Sequence, residues 1–90
     1  MKTTAKYLVK GHSNFGEEFE IELTFTMYKV KENDYGTGYY ILMEGAATEN
    51  YPPFRQSYDV RYQRTTDIDV LADRVIETYY GENAEEVIML

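Results

Sequence analysis

The clearest pattern in the chain is a regular alternation of apolar and polar residues over residues 19–30. From residue 19 to residue 27 every second residue is apolar and the residues between are glutamate or threonine; the apolar set is Phe19, Ile21, Leu23, Phe25 and Met27. Side chains alternate between the two faces of a strand, whereas a helix would spread these five around its circumference. The pattern therefore predicts a long β-strand with one buried face and one solvent-exposed face.

Further segments with strand patterns cover residues 4–10, 39–44, 54–64 and 87–90. Lysines in the first of these are typical of a sheet edge, and the near-continuous apolar run of 39–44 indicates a central strand. Glycine and proline punctuate the loops predicted at 11–16, 31–38 and 45–53, and residues 82–86 form a polar linker to the last strand.

The segment after residue 65 carries the signals of one amphipathic helix. Thr66 and Asp69 have the spacing of a capping box, and Gly81 is predicted to end the helix. One face carries the predicted core stripe of Ile68, Leu71, Ala72, Val75 and Tyr79. The order β-β-β-β-α-β predicts a two-layer α+β fold: a four- to five-stranded, mainly antiparallel sheet with the helix on one face, in a single small globular domain of residues 1–90.

Charge and composition restrict the function further. Sixteen acidic and nine basic residues give a formal net charge of −7, which repels phosphate backbones and anionic membranes. The chain has no cysteine, no long apolar run and no signal-peptide pattern. We therefore expect a cytoplasmic protein that binds neither nucleic acid nor membranes directly.

Catalytic chemistry has no recognisable signature in this chain. Nucleophile, phosphate-binding, metal-ligand and cofactor motifs are absent from the sequence, and the single histidine, His12, is expected to be a polar loop residue. We therefore expect a protein that is not an enzyme and uses no cofactor or metal.

Two sets of residues are candidates for partner binding. The acidic set comprises Glu20 and Glu22 on the predicted open sheet face together with Asp69, Asp73 and Glu77, which follow one another at i, i+4 spacing on the helix. The aromatic set comprises Tyr28, Tyr40 and Leu42, a predicted exposed patch on the open face, together with Tyr51 beside two prolines. The alternative is that the stems of Arg55 and Arg61 cover these rings and that their charges neutralise Glu20 and Glu22.

Two functions fit these features. In the first, the chain is a small acidic, tyrosine-rich protein-binding module, an inhibitor that presents carboxylates to a basic, nucleic-acid-binding groove of a partner, as small proteins of phages and mobile elements do. Carboxylates repeating every ~6 Å along a helix would then imitate a nucleic-acid backbone. In the second, it is a non-catalytic assembly module that forms a homodimer, or joins a larger protein, through its open sheet face or its C-terminal strand.

Overall fold

The computed structural model of the chain describes residues 2–30, 38–61 and 63–90. Within them the elements follow in the order β1 (Thr4–His12), β2 (Glu18–Val30), β3 (Gly38–Gly45), β4 (Phe54–Asp59), α1 (Ile68–Tyr80), a 3-10 turn (Gly81–Asn83) and β5 (Ala84–Met89). One antiparallel sheet contains all five strands, and the single helix packs on one of its faces. The predicted α+β architecture is therefore confirmed. Most of the predicted loop 31–38 lies outside the described residues.

The strands lie in the order β4-β3-β2-β1-β5, with the long strand β2 in the middle. The central position predicted for β3 is confirmed, since it lies between β2 and β4. The edge position predicted for β1 is wrong, because β5 returns and pairs antiparallel with its outer side. Lys6 and Lys10 therefore lie on the open face of an interior strand. Their side chains reach solvent from that face although β1 is not at the edge of the sheet.

The core lies between the sheet and α1, and the alternation of β2 places Leu23 and Phe25 fully inside it. The buried helix residues are Ile68, Leu71, Ala72, Val75 and Ile76. Ile76 thus takes the place predicted for Tyr79, which is exposed. The reason is that Tyr79 lies in the last turn of α1, where its ring stacks on Phe54 with centroids 5.7 Å apart instead of entering the core.

Both ends of α1 are set by local hydrogen bonds. Asp67, and not Thr66, caps the N-terminus: its side chain accepts a hydrogen bond of 3.0 Å from the backbone N–H of Asp69. At the other end Gly81 has a φ of 57° and its N–H donates to the carbonyl of Glu77. The predicted stop at Gly81 is therefore confirmed, because glycine adopts this left-handed φ without the steric penalty of a side chain.

The two strands flanking α1 in sequence have other bounds than predicted. β4 ends at Asp59, because the Asp59 carboxylate accepts a hydrogen bond of 3.0 Å from the N–H of Arg61 and turns the chain there. β5 begins at Ala84, inside the predicted linker, and its pairing with β1 shifts register between Lys10 and Gly11. Glu85 and Glu86 belong to this strand because an edge strand tolerates charged side chains that face solvent. No helix among the described residues has the length and apolar character needed to cross a membrane.

Candidate protein-interaction site

The open face of the sheet carries both signs of charge. Glu20 lies opposite Lys10 in the β1–β2 pairing, and Lys10 in turn lies opposite Glu86 of β5. Glu22 lies opposite Leu8 and is exposed. The predicted neutralisation of Glu20 and Glu22 by arginines is therefore wrong, since the cation across from this row is Lys10.

The arginines have other partners at the far side of the sheet. Arg55 lies opposite Glu44, with its Nε 3.8 Å from the carboxylate. The Arg61 guanidinium bonds the Asp59 carboxylate at 2.6 Å, and these hydrogen bonds hold the pKa of Asp59 below its usual range. Arg55 therefore pairs with an acid directly across on β3, and Arg61 pairs with Asp59 at the end of β4.

The predicted exposed aromatic patch is present only in part: Tyr28 is 49% exposed, but Leu42 is buried. Tyr28 lies directly opposite Tyr40, and the guanidinium carbon of Arg61 lies 6.0 Å from the centre of the Tyr40 ring. Leu42 is only 7% exposed, which corrects its predicted exposure. It lies at the middle of the open face with Thr26 and Ser57 directly across on either side, so the neighbouring strands enclose it. Tyr28 therefore remains the exposed member of the predicted patch, with Tyr40 half-buried and Leu42 buried.

Tyr51 stands apart from this face, in the loop between β3 and β4. Its ring is exposed, and its backbone N–H donates a hydrogen bond of 3.0 Å to the hydroxyl of Thr48. The N–H of Thr48 in turn donates to the carbonyl of Tyr51 at 2.9 Å. The predicted tip is thus an exposed ring on a hydrogen-bonded turn. It follows the Gly45 end of β3, whereas Tyr40 lies near the other end of that strand, opposite Tyr28.

Asp69, the first residue of the predicted carboxylate row, anchors the helix to the sheet. Its carboxylate accepts a hydrogen bond of 2.5 Å from the hydroxyl of Tyr7 in β1, and Lys2 Nζ lies 3.2 Å away. The hydrogen bond from Tyr7 is the main cause that lowers the pKa of Asp69. Burial, the bond to Asp69 and the nearby charge of Asp73 raise the pKa of Tyr7. Asp69 is therefore ionised and already engaged at neutral pH.

Asp73 and Glu77 continue this row at i, i+4 spacing, and both are exposed. No ion pair within the described residues includes either of them. The nearest basic residue along the helix, Arg74, instead donates to the backbone carbonyl and to the side chain of Gln63, at 3.1 and 3.0 Å. Two carboxylates on α1 therefore face solvent without a basic neighbour to balance them.

His12 joins the β1–β2 hairpin to the beginning of β5. Its Nδ1 bonds the carboxylate of Glu85, and its Nε2 lies 3.7 Å from that of Glu18. The bond to Glu85 raises the pKa of His12. These side chains, with Lys10, Glu20 and Glu86, line an open groove of about 300 Å³. No arrangement of three or more acidic or histidine side chains in the described part of the chain is suited to hold a metal ion.

β5, the C-terminal strand predicted as a possible interface, is an open edge of the sheet. The N–H of Leu90 donates to the carbonyl of Lys6 at 2.9 Å. Alternate residues of an antiparallel strand direct their backbone groups to the same neighbour, so Ile88 also faces β1 whereas Val87 and Met89 face outward. The apolar composition of residues 87–90 was the available signal, but the register that exposes these groups follows from the pairing with β1.

Comparison of the chain with protein-family models, with curated proteins and with solved structures finds no match, so the site rests on the geometry described above.

Proposed function

We propose that this chain is a small acidic protein-binding module that presents carboxylates to a basic surface of a partner protein. The observation that carries the proposal is the pair Asp73 and Glu77, exposed on one flank of α1 and without an ion pair among the described residues. Asp69, held ionised one turn earlier, completes the row. A rigid helix fixes the spacing of these groups at ~6 Å per turn, so a partner with regularly spaced cations loses little entropy on binding.

The helix flank fits this role better than the open sheet face. On the sheet, Glu20 lies opposite Lys10 and Glu44 lies opposite Arg55, so each of these acids has a cation directly across. A basic partner would have to compete with these neighbours. On the helix flank a cation of the partner would meet carboxylates whose charge is not already balanced, and opposite charges across an interface accelerate association.

In its most specific form the proposal is inhibition. A basic groove that normally holds nucleic acid would accept the carboxylate row in place of phosphates, as small inhibitors from phages and mobile elements do with nucleases. The net charge of −7 supports this form, because a chain so negative is repelled by nucleic acid yet attracted to the proteins that bind it.

Affinity capture with two matched variants tests the proposal. Asp73→Lys/Glu77→Lys reverses the helix row, and Glu20→Lys/Glu22→Lys makes the same change of net charge on the open face. We expect wild type to capture a basic protein from a lysate of the source cells at low salt, with loss of capture at moderate salt and by competition with DNA or RNA. The helix variant should lose capture at least tenfold, and the sheet variant should retain it.

Three outcomes contradict parts of this scheme. Equal loss in both variants would show a dependence on net charge rather than on the helix flank. Loss in the sheet variant alone would transfer the site to Glu20 and Glu22. Undiminished capture by both would overturn the acidic-module proposal. Circular dichroism melts of each variant establish that the fold is intact.

The exposed apolar end of β5 favours a second candidate, an assembly module. Val87, Met89 and Leu90 are 39%, 59% and 61% exposed at an open sheet edge. The covered Tyr40 and buried Leu42 make the open face a weaker choice for self-association. Size-exclusion chromatography with light scattering tests both surfaces: a dimer that Met89→Lys converts to a monomer would support pairing through β5, and one that Tyr40→Glu converts would support the sheet face. A strict monomer in wild type would exclude self-association.

A further inference from the structure

The outer side of β5 has the hydrogen-bonding groups that an added strand needs. Val87 and Met89 direct their N–H and C=O groups away from β1, as the bond from Leu90 to Lys6 establishes. No strand of the described residues pairs with this side of β5. Four backbone groups over three residues are thus available for β-augmentation, in which an extended segment of a partner joins the sheet.

The side chains of the same two residues form a partly exposed apolar strip. Val87 lies opposite Val9 and Met89 lies opposite Tyr7, so both side chains point to the helix-covered face of the sheet. Val9 and Tyr7 are buried under α1, but Val87 and Met89 remain 39% and 59% exposed. The helix therefore covers β1 more completely than it covers Val87 and Met89 of the neighbouring edge strand. A neighbouring strand would bury these side chains.

Asp69 and Asp73 of α1 lie on the flank nearest to this strip. Asp69 reaches Tyr7 of β1, next to β5, whereas Arg74 reaches Gln63, which follows β4 at the opposite side of the sheet. The two flanks of the helix thus face the two edges. Asp73 follows Asp69 one turn later, and its charge acts on the Tyr7 hydroxyl. Glu77 is rotated further round the helix, away from the buried face, and points to solvent. The apolar strip of β5 consequently has the carboxylates of Asp69 and Asp73 on its helix side.

We propose that β5 binds an extended, basic segment of a partner protein as a sixth strand of the sheet. Backbone bonds to Val87 and Met89 would fix the segment, its apolar side chains would cover the strip, and its lysines or arginines on the same face would reach Asp73. This inference rests on the proposed function, since it names the part of the partner that meets the acidic flank.

Charge argues against a second copy of the chain as the occupant. Two β5 strands paired antiparallel about Ile88 would place Val87 of one copy opposite Met89 of the other, which suits the apolar strip. The same pairing would bring the Asp69 and Asp73 carboxylates of two α1 helices toward each other across only two strands. Like charges in that arrangement repel, whereas a basic segment is attracted.

Proline substitutions at the two sheet edges give a matched test. Val87→Pro removes an outward N–H of β5, and proline at an edge position whose N–H faces solvent preserves the ladder on the inner side. Ser57→Pro makes the same change on β4, where the bond from Val60 N–H to the Tyr39 carbonyl places Ser57 outward. The probe is a fluorescent peptide of about nine residues, with lysine and valine alternating on one face and threonine on the other.

Fluorescence anisotropy at low salt should show that wild type and Ser57→Pro bind the peptide within twofold of each other. We expect Val87→Pro to bind at least tenfold more weakly, and Asp73→Lys/Glu77→Lys likewise. Hydrogen exchange on wild type provides a readout independent of any variant: the amides of Val87 and Met89 should exchange rapidly in the free protein and become protected in the complex.

Failure of this inference is distinguishable from failure of the proposed function. No binding of the peptide, or binding without protection of Val87 and Met89, would overturn the sixth-strand proposal. If capture of a basic protein from lysate requires Asp73 and Glu77 but is unchanged by Val87→Pro, the acidic module stands and the strand proposal falls. A wild-type dimer that Val87→Pro dissociates would identify a second copy as the occupant and would also overturn it.

Discussion

The two edge strands of the sheet have the same length and the same pattern of exposure but differ in how open they are to another chain. β4 and β5 each contain six residues. In β4 the outward-facing residues are Arg55, Ser57 and Asp59, and Pro53 occupies the next outward position, where it offers no donor. In β5 the last outward-facing residues are Val87 and Met89. One edge is therefore protected by polar residues and proline, and the other is left free for pairing.

The strands also differ in how their ends are held. The beginning of β4 is held by an aromatic stack between Phe54 and Tyr79, whose rings lie nearly parallel. The beginning of β5 is held by polar contacts with the β1–β2 hairpin: His12 with Glu85, and Asn83 with Asn14 at 2.9 Å. An apolar contact does not depend on pH, whereas an imidazole–carboxylate contact does. The strand that we propose as a binding edge is thus the one whose attachment responds to pH.

We expect the largest difference in stability between the two edges when the glycine next to each edge is replaced by alanine. A Cβ at Gly11 would lie 1.7 Å from the backbone carbonyl oxygen of Asn83, whereas one at Gly45 would lie 2.1 Å from the ring of Phe54. Backbone cannot move aside without detaching β5, but a ring can rotate. Gly11→Ala should therefore lower the free energy of unfolding by about 3 kcal/mol and Gly45→Ala by about 1 kcal/mol, measured by urea denaturation.

Native-state hydrogen exchange gives the location of these effects. Gly11→Ala should accelerate exchange in β5 and leave β4 protected, because only the β1–β5 pairing is disturbed. A larger loss of stability from Gly45→Ala than from Gly11→Ala would contradict the close approach of Asn83 to β1.

The hydrogen bond between Tyr7 and Asp69 should have the next largest effect. It attaches the first turn of α1 to β1 and so positions the acidic flank beside β5. A hydrogen bond to a charged acceptor contributes about 1.5–3 kcal/mol, and Tyr7→Phe should lower the free energy of unfolding by about 2 kcal/mol. In a double-mutant cycle, adding Tyr7→Phe to Asp69→Asn should cost much less than it does in wild type. Additive losses would show that the two groups do not interact.

The stack that holds β4 should contribute less. Aromatic pairs contribute about 0.5–1.5 kcal/mol beyond the area they bury, and we expect Tyr79→Leu to lower the free energy of unfolding by about 1 kcal/mol. Exchange should accelerate in β4 and not in β5. Phe54→Leu should have no further effect on the stack in the Tyr79→Leu background, and a full additional loss would mean that the rings pack independently.

Alternation and helix periodicity were sufficient to predict the fold. The strict period of β2 and the apolar stripe of α1 each identify an element within one chain segment, and their order determines the two layers. The order of the strands in the sheet was harder to predict. Lysines in a strand indicate side chains that face solvent, and such side chains occur both at a sheet edge and on the open face of an interior strand such as β1. The position of β5 decides between these, and it depends on a contact between residues about eighty apart in sequence.

The candidate site was predictable only in part, for the same reason. The spacing of Asp69, Asp73 and Glu77 follows from the helix period, but the engagement of Asp69 with Tyr7 depends on where the helix crosses β1. Leu42 illustrates a second limit: its face was predicted correctly, yet its burial depends on the neighbours that β2 and β4 supply across the sheet. Backbone groups at the β5 edge have no residue signature, since the register alone decides which of them face outward.

The smallest effect we predict is a pH dependence of β5 attachment. The pKa of His12 is raised above its ordinary value of 6.5, chiefly by the bond to Glu85, so the folded state favours the protonated ring. A raised folded-state pKa contributes stability that is complete below about pH 6.5 and is lost as the pH rises through the folded-state value.

Melting temperatures measured at about pH 6 and about pH 8 should therefore decrease more for wild type than for His12→Asn. Other groups that titrate in this range, such as the terminal amine, cancel in the comparison. Glu85→Gln should remove the same difference, and the double variant should show no further change. Equal pH slopes in wild type and His12→Asn would show that the contact does not stabilise the fold. β5 would then be held by its pairing with β1 and by the bond between Asn83 and Asn14, and the contrast in attachment between the two edges would no longer depend on pH.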